Sequence, residues 1–257
     1  MIIYFLRDYN KQNIRINPVR DALPQGISGD VMDELNSKFF SELNDIITAD
    51  SMNELETIYN SSQELMSRYR CAIMEIETKF KVLNEQFSLL HERNPIELIK
   101  TRLKSFESIR DKLERKGCPF NVESIENNLC DVAGIRIICA FLDDIYMLAK
   151  CLTEQDDVIL IKQKDYIKNP KPNGYRSLHL IVEVPIFLQN EKRNMKVEVQ
   201  LRTMAMEFWA NLEHRMRYKK NLPEDLLAAT AEELNSCANA SAELDLKMLR
   251  IRDVLEQ

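Results

Sequence analysis

Asp131 stands just before an apolar run, Ile137–Phe141, with Gly134 and Arg136 between them. An acid at the mouth of a buried strand, with an arginine five residues on, suits a metal carboxylate beside a nucleotide clamp. Mg2+ takes oxygen ligands and commonly uses one or two carboxylates together with substrate phosphates. Gly134 would allow close backbone approach. The plainer alternative is a loop aspartate that caps local structure, beside an ordinary surface ion pair. A second acid lies in Lys196-Val-Glu198-Val-Gln200-Leu-Arg202. Period-two alternation assigns Val197, Val199 and Leu201 to one face of a strand and Glu198, Gln200 and Arg202 to the other. A rigid row of acid, amide and cation can position a hydroxyl nucleophile. Its plain counterpart is an amphipathic strand whose polar face meets water.

Three other stretches carry candidate anion and base contacts. In Arg102-Leu-Lys104-Ser-Phe-Glu-Ser108-Ile-Arg-Asp-Lys112 the last three named side chains are four apart, one row on a helix. Two ammonium groups bracketing a hydroxyl match a polyphosphate, and Arg102 can stack on a base or fork onto phosphate. A solvated basic face, with Glu107 and Asp111 pairing locally, is the alternative. The segment 164–179 holds two prolines, two asparagines and a glycine, and reads as a loop. Lys164, Lys171, Tyr175 and His179 lie within it, the mixture expected for a stacked base with phosphates nearby. Packing roles for Tyr175 and His179 remain the competing account. In Thr203–His214, helical spacing turns Met206, Trp209 and Leu212 inward and leaves Glu207 near an edge. A carboxylate there can accept from both N1–H and the 2-amino group of guanine, which adenine cannot offer together, or it can be a plain surface acid. Five glycines occur in all, and none forms a phosphate-cradling glycine-rich loop. Any bound triphosphate must therefore be held by side-chain cations.

The elements that position these residues can be read in outline. Leu55, Ile58, Ser62, Leu65, Tyr69, Ile73, Ile76, Phe80, Leu83, Phe87 and Leu90 recur every three or four residues, predicting a long helix that ends at Asn94-Pro95. Its stripe suits either the core or a subunit seam. An earlier helix is expected from Asp30 to about Ile47. Pro95 is expected to open a helix running to about Lys116, with Gly117 ending it. Short strands follow at Ile135–Phe141, Val158–Gln163, Leu178–Val184 and Met195–Leu201, with helices near Asp143–Leu152 and Thr203–Tyr218. Pro223 opens a last helix with small or apolar residues at 227, 230, 234, 237, 241, 244, 248, 251 and 255, a second candidate seam. The sum is an α+β fold, a compact mixed sheet with helical ends.

Composition removes several classes. No run approaches the roughly 18–20 apolar residues of a membrane span, and the start, MIIYFLRDYN, lacks the parts of a secretory signal. A cytoplasmic protein is expected. The six cysteines form no C-x-x-C pair and the three histidines no metal motif, so reduced, packed thiols are expected and zinc is not. A net charge of −6 argues against general nucleic-acid coating. Charge is nonetheless clustered, with seven Lys or Arg against three acids over 100–116.

In this order the segments HERNPIELIKTRLKSFESI (91–109), DVAGIRIICAFLDDIY (131–146), DYIKNPKPNGYRSLHL (165–180) and VEVQLRTMAMEFWANLEH (197–214) resemble the synthetase domain of the RelA/SpoT superfamily. The likeness is to its stand-alone small alarmone synthetases, nearer the RelP than the RelQ type on RLKSFESI and KNPKPNGYRSLH. It implies a nucleotidyltransferase-like mixed sheet flanked by helices, over residues 51–257, after an N-terminal extension of residues 1–50 to which no role transfers. The implied activity moves the β,γ-pyrophosphate of ATP to the 3′-hydroxyl of GTP or GDP, with no hydrolase activity. The implied Mg2+ ligands are Asp131 and Glu198, the latter also orienting the 3′-hydroxyl with Gln200. Arg102 and Arg136 would sandwich adenine while Lys104, Ser108 and Lys112 hold the ATP phosphates. Tyr175 would stack on guanine, with Lys164, Lys171 and His179 near the acceptor's phosphates or sugar and Glu207 on the guanine edge. Arg202 and Glu213 fit the pattern in supporting roles. Many relatives carry Asp or Asn where Glu207 stands. A homotetramer is implied as well. Two rival functions share the fold: pyrophosphorylation of a tRNA 3′ end, and a non-catalytic nucleotide sensor or RNA-binding scaffold. The acidic chain and the Tyr175–Glu207 pairing favour free guanine nucleotide over RNA.

Overall fold

The computed structural model describes residues 49–91, 93–217 and 224–256. Two compact units divide the chain, residues 1–64 and 65–257. The first is described over 49–64, which are helical; the helix expected from Asp30 to Ile47 lies outside the described residues. The elements are α1 (Ala49–His91), β1 (Ile96–Leu103), α2 (Phe106–Arg115), α3 (Val122–Asn128), β2 (Ala133–Cys139), α4 (Leu142–Thr153), β3 (Ile159–Asp165), β4 (Leu178–Phe187), β5 (Lys192–Thr203), α5 (Met204–Arg217) and α6 (Glu224–Leu255).

The five strands form one sheet in the order β1-β2-β5-β4-β3, with the central β2–β5 pair parallel and the other pairs antiparallel. Alternation makes it two-faced. Ile135, Ile137, Leu180, Val182, Val197, Val199 and Leu201 are at most 2% exposed and share one apolar core with α1, α2, α3 and α4. Each such side chain stabilises the fold by roughly 1.5–3 kcal/mol on burial. Leu65, Tyr69, Ile73, Ile76 and Phe80 of the α1 stripe are buried in that core, and Leu83 and Phe87 pack against it. From 65 to 87 the stripe therefore belongs to the core.

The opposite face is polar, and register assembles it in rows. Lys100 of β1 lies opposite Arg136, Arg136 opposite Gln200, Gln200 opposite His179, and His179 opposite Lys164. The next row runs Arg102, Gly134, Glu198, Ile181. Residues far apart in sequence thus become neighbours because directly opposite residues share a face.

One expected element is corrected. Residues 96–103 form an edge strand, where Pro95 was expected to begin a helix, and the helix starts only at Phe106. Ile96, Ile99 and Leu103 have helical spacing, but a register irregularity between Ile96 and Leu98 shifts the alternation. Pairing with β2 then overrides the local preference. The end of that helix is as expected: Gly117, at φ +67, follows the Lys116 C-cap. The short α3 was not anticipated; the Asn121 side chain caps it by accepting from Ser124 N–H.

Helix α6 packs through Ala238 and one member of its apolar stripe, Leu234, and leaves the later members outward. Ala238 is buried and Leu234 packs with Trp209 and Tyr175, whereas Leu244, Met248, Ile251 and Leu255 are 48–79% exposed. All six cysteines are free. Among the described residues no helix is long and apolar enough to cross a membrane.

Candidate active site

Asp131 sits two residues before β2. Its Oδ2 accepts hydrogen bonds from Lys104 Nζ and, at 2.6 Å, from Lys112 Nζ. Lys104 lies in the turn between β1 and α2, so the row of cations is built from a turn and a helix instead of from one helix. Burial pushes the Asp131 carboxyl up, but the hydrogen bonds and charges of the two lysines outweigh it and hold the group below its usual range. Burial also lowers the Lys104 pKa despite its carboxylate partner. Ser108 stands in the first turn of α2; the Ser105 hydroxyl accepts from its N–H and donates to its hydroxyl. Helix N-termini favour anions.

Asp131 Oδ1 is buried with no hydrogen-bond partner. A hard, unsatisfied carboxylate oxygen is what Mg2+ seeks. Among the described residues no group of three or more His, Cys, Asp or Glu forms an all-protein metal cage. The donor set thus fits a cation held by Asp131 and Glu198 that completes its shell with substrate oxygens.

Glu198 projects from the centre of β5, near enough to Asp131 for that charge to act on it. Gln200 Nε2 donates to its Oε2 at 2.9 Å, and His179 Nδ1 lies 3.4 Å from its Oε1. Burial raises the carboxyl, yet His179 and Gln200 together carry it below its ordinary value. Behind them Tyr175 Oη is 2.8 Å from His179 Nε2 and accepts from Arg202 Nη2 at 2.5 Å. The same Nη2 donates to Gln200 Oε1 at 3.0 Å.

Glu207 completes the chain of contacts. Its Oε1 accepts from Lys100, Arg136 and Asn211, each at 3.0 Å, and its Oε2 from Arg202 at 2.8 Å. Burial opposes the charge, but these donors hold the carboxyl at about 2. The residue is 7% exposed. It is the anionic centre of a cation cluster, not an acid free at a helix edge.

The 166–177 loop and the start of β4 supply the rings. Tyr166, Tyr175 and His179 meet edge-on with centroids 5.3–6.0 Å apart. Lys171 Nζ lies 4.8 and 4.7 Å from the Tyr166 and Tyr175 ring centres, and Arg202 lies 5.0 Å from that of Tyr175. Gly174, at φ +86, holds the turn against α6, where a Cβ would meet that of Ala238 at 2.5 Å. Arg176 clamps the same junction through the Gly174 and Ala238 carbonyls and Asn239. Asn173 reaches Glu213 at 3.3 Å. At Gly134 a Cβ would have ordinary contacts, 3.6 Å from the Arg102 carbonyl; tight packing does not require glycine there.

Asp131, Lys104, Ser108 and Lys112 are therefore together at one end of the site, and Glu198, Gln200, His179 and Tyr175 are joined by hydrogen bonds. Arg102 and Lys164 are exposed at opposite edges of the same face, and Arg136 is tied to Glu207. Sequence reasoning missed Lys100, Tyr166, Arg176 and Asn211. Asn211 was findable, four residues from Glu207 on one helix face. Lys100 was concealed by the helix expected at 95–116.

Residues 101–222 match the region found in RelA / SpoT proteins. The chain is 44% identical over 201 residues to GTP pyrophosphokinase YwaC of Bacillus subtilis (strain 168), covering 78% of this chain and 95% of that protein. Identity to GTP pyrophosphokinase YjbM of the same organism is 35% over 192 residues, covering 74% and 87%. The crystal structure of small alarmone synthetase 1 from Bacillus subtilis bound to its product pppGpp superposes with a TM-score of 0.68 at 34% identity, over 77% of this chain and all of that one. With this sheet, this site and these relatives, the chain belongs to the small alarmone synthetases of the RelA/SpoT family.

Proposed function

We propose that the protein is a GTP pyrophosphokinase: it transfers the β,γ-pyrophosphate of ATP to the 3′-hydroxyl of GTP or GDP and releases AMP. Its similarity to two GTP pyrophosphokinases and to a synthetase holding pppGpp supports this. The observation that carries it is the pair of acids at the polar sheet face: Asp131, gripped by two lysines just before β2, and Glu198, braced by Gln200 and His179 on β5.

The 3′-oxygen attacks the β-phosphorus of ATP as the bond from that phosphorus to the α-phosphate oxygen breaks. Transfer of this kind relies on alignment and charge neutralisation and needs no covalent protein intermediate. Lys104, Lys112 and the first turn of α2 hold the ATP phosphates, and Arg102 with Arg136 flanks the adenine. Glu198, fixed by Gln200 and His179, orients the acceptor hydroxyl. Tyr175 stacks on guanine, with Lys164 and Lys171 near the acceptor's phosphates. Mg2+ would be held by Asp131 and Glu198, where it supplies charge neutralisation on phosphate oxygens. Glu207 takes a different role from the expected one: with four donors filling its oxygens, it organises Arg136 and Arg202 and leaves the guanine edge to other groups.

The exposed apolar residues of α6 (Leu244, Met248, Ile251, Val254) suit a seam in a homo-oligomer, a homotetramer by resemblance. The cytoplasm, where both nucleotides are made and used, is the expected location. The test is incubation with ATP, Mg2+ and either guanine nucleotide, followed by product separation. Equimolar AMP and a 3′-pyrophosphorylated guanine nucleotide are expected. AMP formation with tRNA alone, or with neither acceptor, would overturn the reading.

A further inference from the structure

Arg202 is 4% exposed and lies on the polar sheet face, so it reaches a substrate only through its neighbours. Its guanidinium donates to three of them: Glu207 Oε2, Gln200 Oε1 and Tyr175 Oη. Guanidinium offers donors and no acceptor, whereas an amide, a hydroxyl and a neutral imidazole can each be turned either way. We infer that Arg202 is a positioning residue that sets the hydrogen-bond polarity of the acceptor side and so aims two N–H groups at Glu198.

The constraint propagates by elimination. With Arg202 on Gln200 Oε1, the amide NH2 must face Glu198 Oε2, the contact observed at 2.9 Å. With Arg202 on a Tyr175 lone pair, the hydroxyl proton is free to point at His179 Nε2, 2.8 Å away. That nitrogen then accepts, which places the proton of the neutral ring on Nδ1, facing Glu198 Oε1 at 3.4 Å. One cation thereby fixes an amide orientation, a hydroxyl rotor and a histidine tautomer. Glu207 keeps Arg202 in place by balancing its charge. The kinetic part of this inference rests on the proposed transferase reading; the tautomer does not.

The experiment pairs nitrogen-15 NMR of the histidine rings with steady-state kinetics on wild type, Arg202→Lys, Tyr175→Phe and the double variant. Only three histidines are present, so the His179 ring is assignable by a His179→Gln control. At alkaline pH, where imidazole is neutral, wild-type His179 is expected as the Nδ1–H form, shifting toward Nε2–H or a mixture in both single variants. Each single variant should lose roughly 10–10²-fold in kcat with little change in acceptor KM, because the Tyr175 ring or its phenylalanine substitute remains for stacking. The double variant should be no slower than the slower single, since both changes cut one path. A wild-type Nε2–H tautomer, an unchanged tautomer in Tyr175→Phe, or multiplied kinetic losses would overturn the inference. Should Arg202→Lys fail to fold, Tyr175→Phe decides alone. A wild type that makes no product would sink the transferase reading while leaving the tautomer result to judge this one.

Discussion

Replacing Glu207 with glutamine preserves its volume and removes the negative charge that Lys100, Arg136 and Arg202 share. The native carboxyl is held at about 2 against an ordinary 4.5. At about 1.4 kcal/mol per unit, the charged form should favour the folded state by about 3 kcal/mol at neutral pH. An independent estimate agrees: removing one partner of a buried ion pair costs roughly 3–5 kcal/mol, and Arg202 is 4% exposed. Because the folded-state value lies below the unfolded one, this stabilisation is complete above pH 4.5 and fades as pH falls toward 2. Urea unfolding of wild type and Glu207→Gln should therefore differ by about 3 kcal/mol at neutral pH, with the gap narrowing in acid. Kinetics of the folded variant should show kcat reduced more than acceptor KM is raised, because Arg202 and Arg136 lose their anchor. Equal unfolding midpoints at neutral pH, or a gap that persists unchanged into acid, would refute the ion-cluster reasoning. A rise in acceptor KM alone would instead restore Glu207 as a reader of guanine.

Asp131→Asn and Glu198→Gln should each reduce synthesis by roughly 10²–10³-fold or more while circular dichroism remains native; near-normal turnover in both would remove them from the reaction. Gly174→Ala places a methyl group at φ +86 and against Ala238, so thermal stability should fall by about 1–3 kcal/mol and acceptor KM should rise, checked by calorimetry and initial rates. Tyr175→Ala should raise the acceptor KM roughly 5–150-fold, the equivalent of 1–3 kcal/mol of base stacking, with ATP KM little changed. Chelation of divalent cations should stop synthesis and added Mg2+ restore it, whereas full activity in excess chelator would exclude the Asp131–Glu198 pair as a cation site.

The parts of this fold most legible in the sequence are those where one physical pattern acts alone. Strands β2, β4 and β5 bury one face, and in β5 the alternation through Val197, Val199 and Leu201 is unbroken. The α1 stripe is equally plain. At β1 the local signal misled: Pro95 read as the start of a helix, while the deciding partner, β2, lay thirty or more residues away. Arg102 and Lys104 could still be singled out, because their chemistry did not depend on the element assigned to them; the structure places Arg102 on β1 and Lys104 in the turn that follows. Glu207 illustrates the opposite limit. Its type and position suggested an exposed acceptor, and only the convergence of β1, β2, β5 and α5 reveals four donors around it. The partners of a buried ion are a property of the assembled fold, invisible to any local pattern.

Helix α6 reaches the site from the last fifth of the sequence. Ala238 backs Gly174, Asn239 and the Ala238 carbonyl hold Arg176, and Asp245 accepts from Thr203 at 2.7 Å, where β5 passes into α5. A C-terminal truncation ahead of Ala238 would thus unseat the 166–177 loop without deleting any residue of the polar sheet face. If the outer side of the same helix is where subunits meet, quaternary assembly and guanine-nucleotide affinity share one lever. Whatever free energy one exerts on it, the other must feel in equal measure.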